Sequence, residues 1–251
     1  MAIQIGRSLT VQTFKGFLLT RNWRDTRHGV ELEFWFTTGQ GPLCAVLRGE
    51  HSVFFLAEDE LAQAREILAV DSTVEIKPVN LRNFSMAPVV GVYFNSYRQA
   101  RRAADELRSR GMAPLEADIN PADRFLMERF VAGSAILHGE PRRRGRHLML
   151  ENPVIKSTRY RPALKVVSFD IETAMEGLQL YSIAVHGTSA DGEARQVFML
   201  GEGAQQAFVR PYANQGEVLQ AFLDWVADYD PDVLIGWNVV NFDTWYLQRL
   251  S

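Results

Sequence analysis

Apolar and polar positions alternate through the opening stretch of the chain, the two-residue period of strands half-buried in a sheet. Residues 14–56 read as a series of strands. The first covers 14–20 and the second 30–37, with Arg27-His28-Gly29 as the turn between them; Gly39-Gln40-Gly41-Pro42 makes a second turn, and 52–56 a further strand. The period then lengthens. Leu61, Ala64, Ile67 and Leu68 carry helical spacing over 58–68, and a strand over 89–94 precedes a helix over 98–110 with Gly111 just past its end. A strand over 115–119, a helix over 122–130 and β and turn character over 131–160 complete this part, which reads as α+β with a β-rich portion.

From Pro162 the pattern changes. Residues 164–171 are nearly continuously apolar, as in a central strand covered on both faces. Strands over 180–185 and 196–200 follow, joined through the turn Ser189-Ala190-Asp191-Gly192. An amphipathic helix over 218–229 ends before Pro231, and a short buried strand over 233–235 precedes a helix over 244–250. The order β-β-β-α-β-α, first strand central, is that of a ribonuclease H-like sheet. The fold class is therefore α/β, with domains at 1–160 and 161–251. Asp243, Tyr246, Leu247 and Leu250 share one face of the final helix with nothing after it in sequence to pack there, so the chain is read as the N-terminal part of something longer.

Composition adds an asymmetry. The net charge of −3 divides into 22 basic against 18 acidic residues over 1–160 and 5 against 12 over 161–251. A basic part followed by an acidic part implies different partners, and an acidic part meets a polyanion only if cations intervene. No apolar run approaches the roughly 20 residues of a membrane span, and the N-terminus lacks the core of a signal peptide. A single cysteine, Cys44, fits a reducing cytoplasm and a small buried hydrophobe.

The candidate chemistry is carboxylate chemistry. Asp170 and Glu172 follow an apolar run at a spacing that puts both on one face of a strand, about 6.6 Å apart along it. Asp243 stands at the start of a helix in Gly236-Trp237-Asn238-Val239-Val240-Asn241-Phe242-Asp243. Three hard oxygen ligands on strand and helix are the raw material of a two-metal phosphodiester-cleaving site, and all-oxygen ligation favours Mg2+ or Mn2+ over Zn2+. Burial and mutual repulsion would raise the strand pair's pKa values without metal. A D-x-E pair is not specific by itself: Asp191-Gly192-Glu193 repeats it in what reads as a solvated hairpin turn. The aromatic residues Trp237, Phe242, Trp245 and Tyr246 could stack unpaired bases or simply fill a core. Arg142, Arg143, Arg144 and Arg146 make a dense cationic turn, and Arg98, Arg101, Arg102 and Arg108 share one helix; each group is either a solvated face or a surface that tracks phosphates.

Phe169-Asp170-Ile171-Glu172-Thr173 resembles the first exonuclease motif of the family B DNA polymerases, and 230–243 resembles the second. The wider chain, including 16–26 and 124–130, is similar to bacterial members of that family. The resemblance implies a 3′–5′ proofreading exonuclease, its first part at 161–251, preceded by the family's N-terminal domain. It further implies that Asp170 bridges two metal ions, that Glu172 holds the ion on the nucleophile's side, and that Asp243 holds the second, with Asn238 and Phe242 at the 3′-terminal nucleotides. The family's third exonuclease motif, a Tyr-x-x-x-Asp, and its synthetic centre have no counterpart here. By itself the chain is therefore expected to be a very poor exonuclease. The implied partners are DNA (a primer 3′ end and single-stranded template), the remainder of a polymerase chain and a sliding clamp, in replication and repair at the bacterial nucleoid. A free-standing ribonuclease H-like nuclease and a single-stranded-DNA-binding module without chemistry are the alternatives.

Overall fold

The computed structural model describes residues 10–69, 71–202 and 206–251, and the chain divides into two compact units after Pro162. In the first unit, strands β1 (Gln12–Thr26), β2 (Gly29–Thr38) and β3 (Gly41–Glu50) form an antiparallel meander. β1 runs well past residue 20. A bulge between Leu18 and Thr20 shifts its register, and pairing with β2 then continues to the Thr26/Gly29 corner. There Thr26 Oγ1 donates to the Gly29 carbonyl at 2.7 Å, and Gly29 takes φ +116°, a conformation closed to side chains.

An inserted layer follows: β4 (Ser52–Ala57), α1 (Leu61–Leu68), β5 (Glu75–Arg82), β6 (Pro88–Phe94) and α2 (Tyr97–Ser109). Its three strands order β4-β6-β5 and carry their own core, around Phe54, Leu56, Val92, Phe94, Ala104 and Leu107. β5 is an additional strand beside those read from the sequence; it is exposed at most positions and contains Pro78, so no apolar alternation marks it. The strand expected at 115–119 reduces to a single bridge between Leu115 and Phe55. Helix α3 (Pro121–Glu128) starts on the Asn120 side chain, which accepts from the Asp123 N–H at 2.9 Å, and lays Phe125 against Phe34. β7 (Ser134–Gly139), β8 (Pro141–Arg144), β9 (His147–Glu151) and β10 (Val154–Ser157) complete a seven-stranded sheet, β10-β7-β1-β2-β3-β9-β8.

The second unit is a five-stranded sheet: β11 (Val166–Thr173), β12 (Leu180–Ser189), β13 (Gly192–Leu200), β14 (Val209–Tyr212) and β15 (Val233–Ile235), ordered β14-β13-β12-β11-β15. β11 lies inside the sheet, antiparallel to β12 and parallel to β15. The short β14 was not expected; it adds to the outer edge beyond β13. Helix α4 (Gln215–Tyr229) is capped by Asn214 and packs Val218, Leu219 and Phe222 onto Phe169, Ile183 and Phe198. The face of α5 (Thr244–Leu250) that seemed to lack a partner joins the same core, with Tyr246 and Leu247 buried. β11 is also covered on one face only. Val167, Phe169 and Ile171 are buried, whereas the alternate positions pass from half-buried Val166 and Ser168 to exposed Asp170 and Glu172, so the face carrying the carboxylates is open to solvent.

Candidate functional site

Strand geometry places Asp170 and Glu172 on the solvent side of β11, their neighbours Phe169 and Ile171 pointing into the core. Both acids are exposed, so the burial expected for this pair falls elsewhere. It falls on Asp243, which is 1% exposed at the end of a single wide (π) turn, Val239–Asp243, leading into α5. Burial pushes its carboxyl above the usual carboxylate range. The N–H groups of Asp243 itself and of Ile171 pull it back, and the charge of Asp170 adds to the rise. Its Oδ2 is buried without a hydrogen-bond partner.

The two motifs meet along one edge of β11. β15 pairs with β11 only at Val166–Ser168; past that point the edge belongs to the loop that follows β15. Gly236 comes so near the Phe169 carbonyl that a Cβ would sit 2.5 Å from its oxygen, and two residues along the same edge the Ile171 N–H serves Asp243. Any side chain at 236 would force this loop off the strand. Asn238 then takes a left-handed conformation (φ +60°) without a side-chain capping bond, its carbonyl accepting from the Phe242 N–H at 2.9 Å. Among the described residues, no three His, Cys, Asp or Glu side chains are gathered closely enough to form one metal cage.

The apolar surface of this loop is exposed. Trp237 is 92% and Val240 75% accessible, while Phe242, 39% accessible, leans on Tyr246 with ring centres 5.9 Å apart. Tyr246 is core; Trp237 is almost fully exposed, and Phe242 and Trp245 are partly so. In the first unit the run expected as a turn is mostly strand: Arg142, Arg143 and Arg144 lie on β8, paired with β9, and only Gly145 and Arg146 turn the chain; all four arginines are exposed. Arg142 lies 3.4 Å from Glu151, which also takes Arg48 at 3.0 Å; Arg48 and Arg24 both pair with the buried Glu31. Part of the cationic run is thus matched within the fold. Of the arginines on α2, Arg108 pairs with Asp105 at 2.9 Å. Reasoning from sequence missed Gly236 and the Ile171 N–H; a glycine directly after a buried strand was the one signal for the first.

A family model for the DNA polymerase family B exonuclease domain matches residues 113–250, more than half of the chain, and the chain belongs to that family. Models for the DNA polymerase II N-terminal and insertion domains match 16–50 and 52–112, the latter corresponding to the inserted β4–α2 layer. The chain is 38% identical over 245 residues to DNA polymerase II of Escherichia coli K12, covering 93% of itself and 30% of that protein. It is 36% identical over 97 residues to the DNA polymerase delta catalytic subunit of Schizosaccharomyces pombe, covering 34% of itself and 9% of that subunit. The family B DNA polymerase of the archaeon Pyrobaculum calidifontis shares the fold, with a TM-score of 0.68 and 24% identity over 93% of this chain and 32% of that one. The chain therefore spans under a third of the length of these relatives. Matches to N-terminal, insertion and exonuclease models in succession favour a polymerase over a free-standing nuclease or a binding module. Exonuclease domains of this family generally use divalent metal ions.

Proposed function

We propose that this chain is the N-terminal and exonuclease region of a DNA-directed DNA polymerase that extends primers and removes mismatched 3′ ends in replication and repair. The observation that carries the exonuclease part is the Asp243 carboxylate, buried and unpartnered at Oδ2 beside the strand that bears Asp170 and Glu172. An acid held there without a cation fits a divalent ion, and its all-oxygen company fits Mg2+ or Mn2+. Asp170, Glu172 and Asp243 are the residues that would hold such an ion. When bound, two such ions supply Lewis-acid stabilisation to the attacking and leaving oxygens of a terminal phosphodiester.

The chain's own groups do the rest. The Ile171 N–H offsets part of the rise that burial gives the Asp243 carboxyl. Asn238 and Phe242 receive the last nucleotides of a frayed strand, the ring giving a base a face to stack on. Arg142, Arg143, Arg144 and Arg146 attract single-stranded template by charge alone. The sliding clamp is met by other parts of the protein, and the whole acts in the cytoplasm at the nucleoid; among the described residues no helix is long and apolar enough to cross a membrane.

Calorimetric titration with Mn2+ tests the site. Binding is expected to be weak and to strengthen from pH 5 to pH 8 as the ion displaces the proton that burial favours on Asp243, and to disappear in Asp170→Ala and Asp243→Asn. Equal affinity at both pH values, or binding indifferent to both substitutions, overturns the assignment.

A further inference from the structure

The exposed face of the seven-stranded sheet at its β10 edge carries two lysines in one row, on the strands either side of β7. Pairing aligns Lys15 of β1 with Ile136 of β7, and Ile136 with Lys156 of β10. The adjacent row, Phe14, Leu137 and Ile155, is buried in the core, so the lysine row faces away from it. The chain leaving β10 continues the charge with Arg159 and Arg161, both exposed. Between them Tyr160 is half-buried, its carbonyl accepting from Ser134 Oγ at 2.6 Å. Tyr160 lines two clefts. One, of about 560 Å³, is shared with Arg159 and Arg161; the other, of about 210 Å³, is shared with Lys15.

This surface differs from the cationic turn at Arg142–Arg146 in having no acid within it. Residues 12–17, 134–139 and 153–162 contain no Asp or Glu. Among the described residues none of Lys15, Lys156, Arg159 and Arg161 forms an ion pair, whereas Arg142 and Arg108 do. Four unmatched cations, two on the sheet and two in the chain leaving it, repel one another, and the fold gains nothing from gathering them. A polyanion gains directly. An aromatic residue set among the cations and lining two clefts adds a stacking surface that an acidic peptide would not use and an unpaired base would.

The geometry points to a platform for single-stranded nucleic acid on the β1, β7 and β10 face: Lys15, Lys156, Arg159 and Arg161 take phosphates, and Tyr160 takes a base. Neighbouring strands lie about 4.8 Å apart, so the two lysines stand roughly 10 Å from each other across β7. The extended run from 156 to 161 adds about 17 Å, enough for a few nucleotides. This reading rests on the proposed polymerase function and assigns part of its template path to residues outside the Arg142–Arg146 turn.

The test is fluorescence anisotropy of the whole chain with a labelled oligothymidylate of about 16 nucleotides, in a metal chelator so that the carboxylate site takes no part. The Lys156→Gln/Arg159→Gln/Arg161→Gln variant, first shown to melt as the parent does, is expected to flatten the slope of log affinity against log salt by about 2. Tyr160→Leu is expected to keep the slope and weaken binding about tenfold. An unchanged slope in the triple variant overturns the platform. So does a loss that appears only when Arg142, Arg143, Arg144 and Arg146 are replaced, or a parent chain that binds no oligonucleotide. Equal loss of binding to polyglutamate of matched charge also overturns it, since the surface would then read charge alone. The Mn2+ titration judges the exonuclease reading separately, and the triple variant is expected to leave that titration unchanged.

Discussion

Two buried acids, one in each unit, are treated in opposite ways. Glu31 on β2 is 9% exposed and Asp243 before α5 is 1% exposed. Glu31 sits among cations: desolvation pushes its carboxyl up, but hydrogen bonds and charge from Arg48 and Arg24 win, and it ends below the usual range. Asp243 has only backbone N–H groups and a neighbouring acid, and it ends above. The first unit pairs other carboxylates too, Asp123 with Arg21 and Glu116 with Arg124 at 3.0 Å. A buried acid with its cations in place is part of the fold. One left without them keeps a charge that a ligand can answer, and the fold is less stable for it.

The sharpest way to break this comparison is to remove an acid and read activity. Under the proposed function, Asp170→Ala in the full-length protein is expected to lower release of 3′-terminal nucleotides from single-stranded DNA by about a hundredfold or more, with primer extension retained. Activity within a few-fold of the parent would mean the acids of the second unit are as structural as Glu31. Next in size is Glu31→Ala, which leaves Arg24 and Arg48 without their shared partner. Both arginines are more than half in solvent, so screening limits the cost to about 1–2 kcal/mol in denaturant unfolding. No loss at all would remove the claim that the first unit depends on its pairs.

The same measurement on Asp243→Asn is expected to go the other way. Folding holds the Asp243 proton to higher pH than the unfolded chain does, so the folded state binds more protons in that interval and stability falls as pH rises through it. In chelator at neutral pH the asparagine variant is expected to be more stable by on the order of 1 kcal/mol. The gain should vanish below about pH 4, where the acid is protonated in both states. Added Mn2+ should stabilise the parent and not the variant. Smallest is Arg21→Gln. Its hydrogen bond holds Asp123 below the usual range, so its contribution is present at neutral pH and lost as pH falls through that depressed value. With Arg21 about half exposed the effect is roughly 0.5 kcal/mol, and parent and variant should converge in acid melts.

Much of this was legible in the residues. Alternation marked β1 and β2, the apolar run marked β11, and the two-residue spacing put Asp170 and Glu172 on one face, where they stand. Elements that escaped are those without an apolar pattern: β5 lies mostly in solvent, and β14 is four residues long with a proline. The burial of Asp243 escaped for a different reason. It depends on how early β15 stops beside β11, a tertiary fact that no local period encodes. The expected exposure of the last helix failed likewise, because Tyr246 and Leu247 reach back into a core assembled 50 to 80 residues earlier, around Phe169 and Phe198.

Gly236 carries one more consequence, and it concerns inheritance. The loop it begins is in contact with the Phe169 carbonyl with no space for even a methyl group. A missense change there alters no acid, no aromatic and no arginine, yet it displaces the segment that brings Asp243 to β11. Under the proposed function, a cell carrying Gly236→Ala is expected to copy DNA at an ordinary rate and to accumulate mutations, as though an acid had been deleted. Mutation-rate screens across this codon and that of Asp170 should therefore return the same phenotype from a backbone and from a ligand.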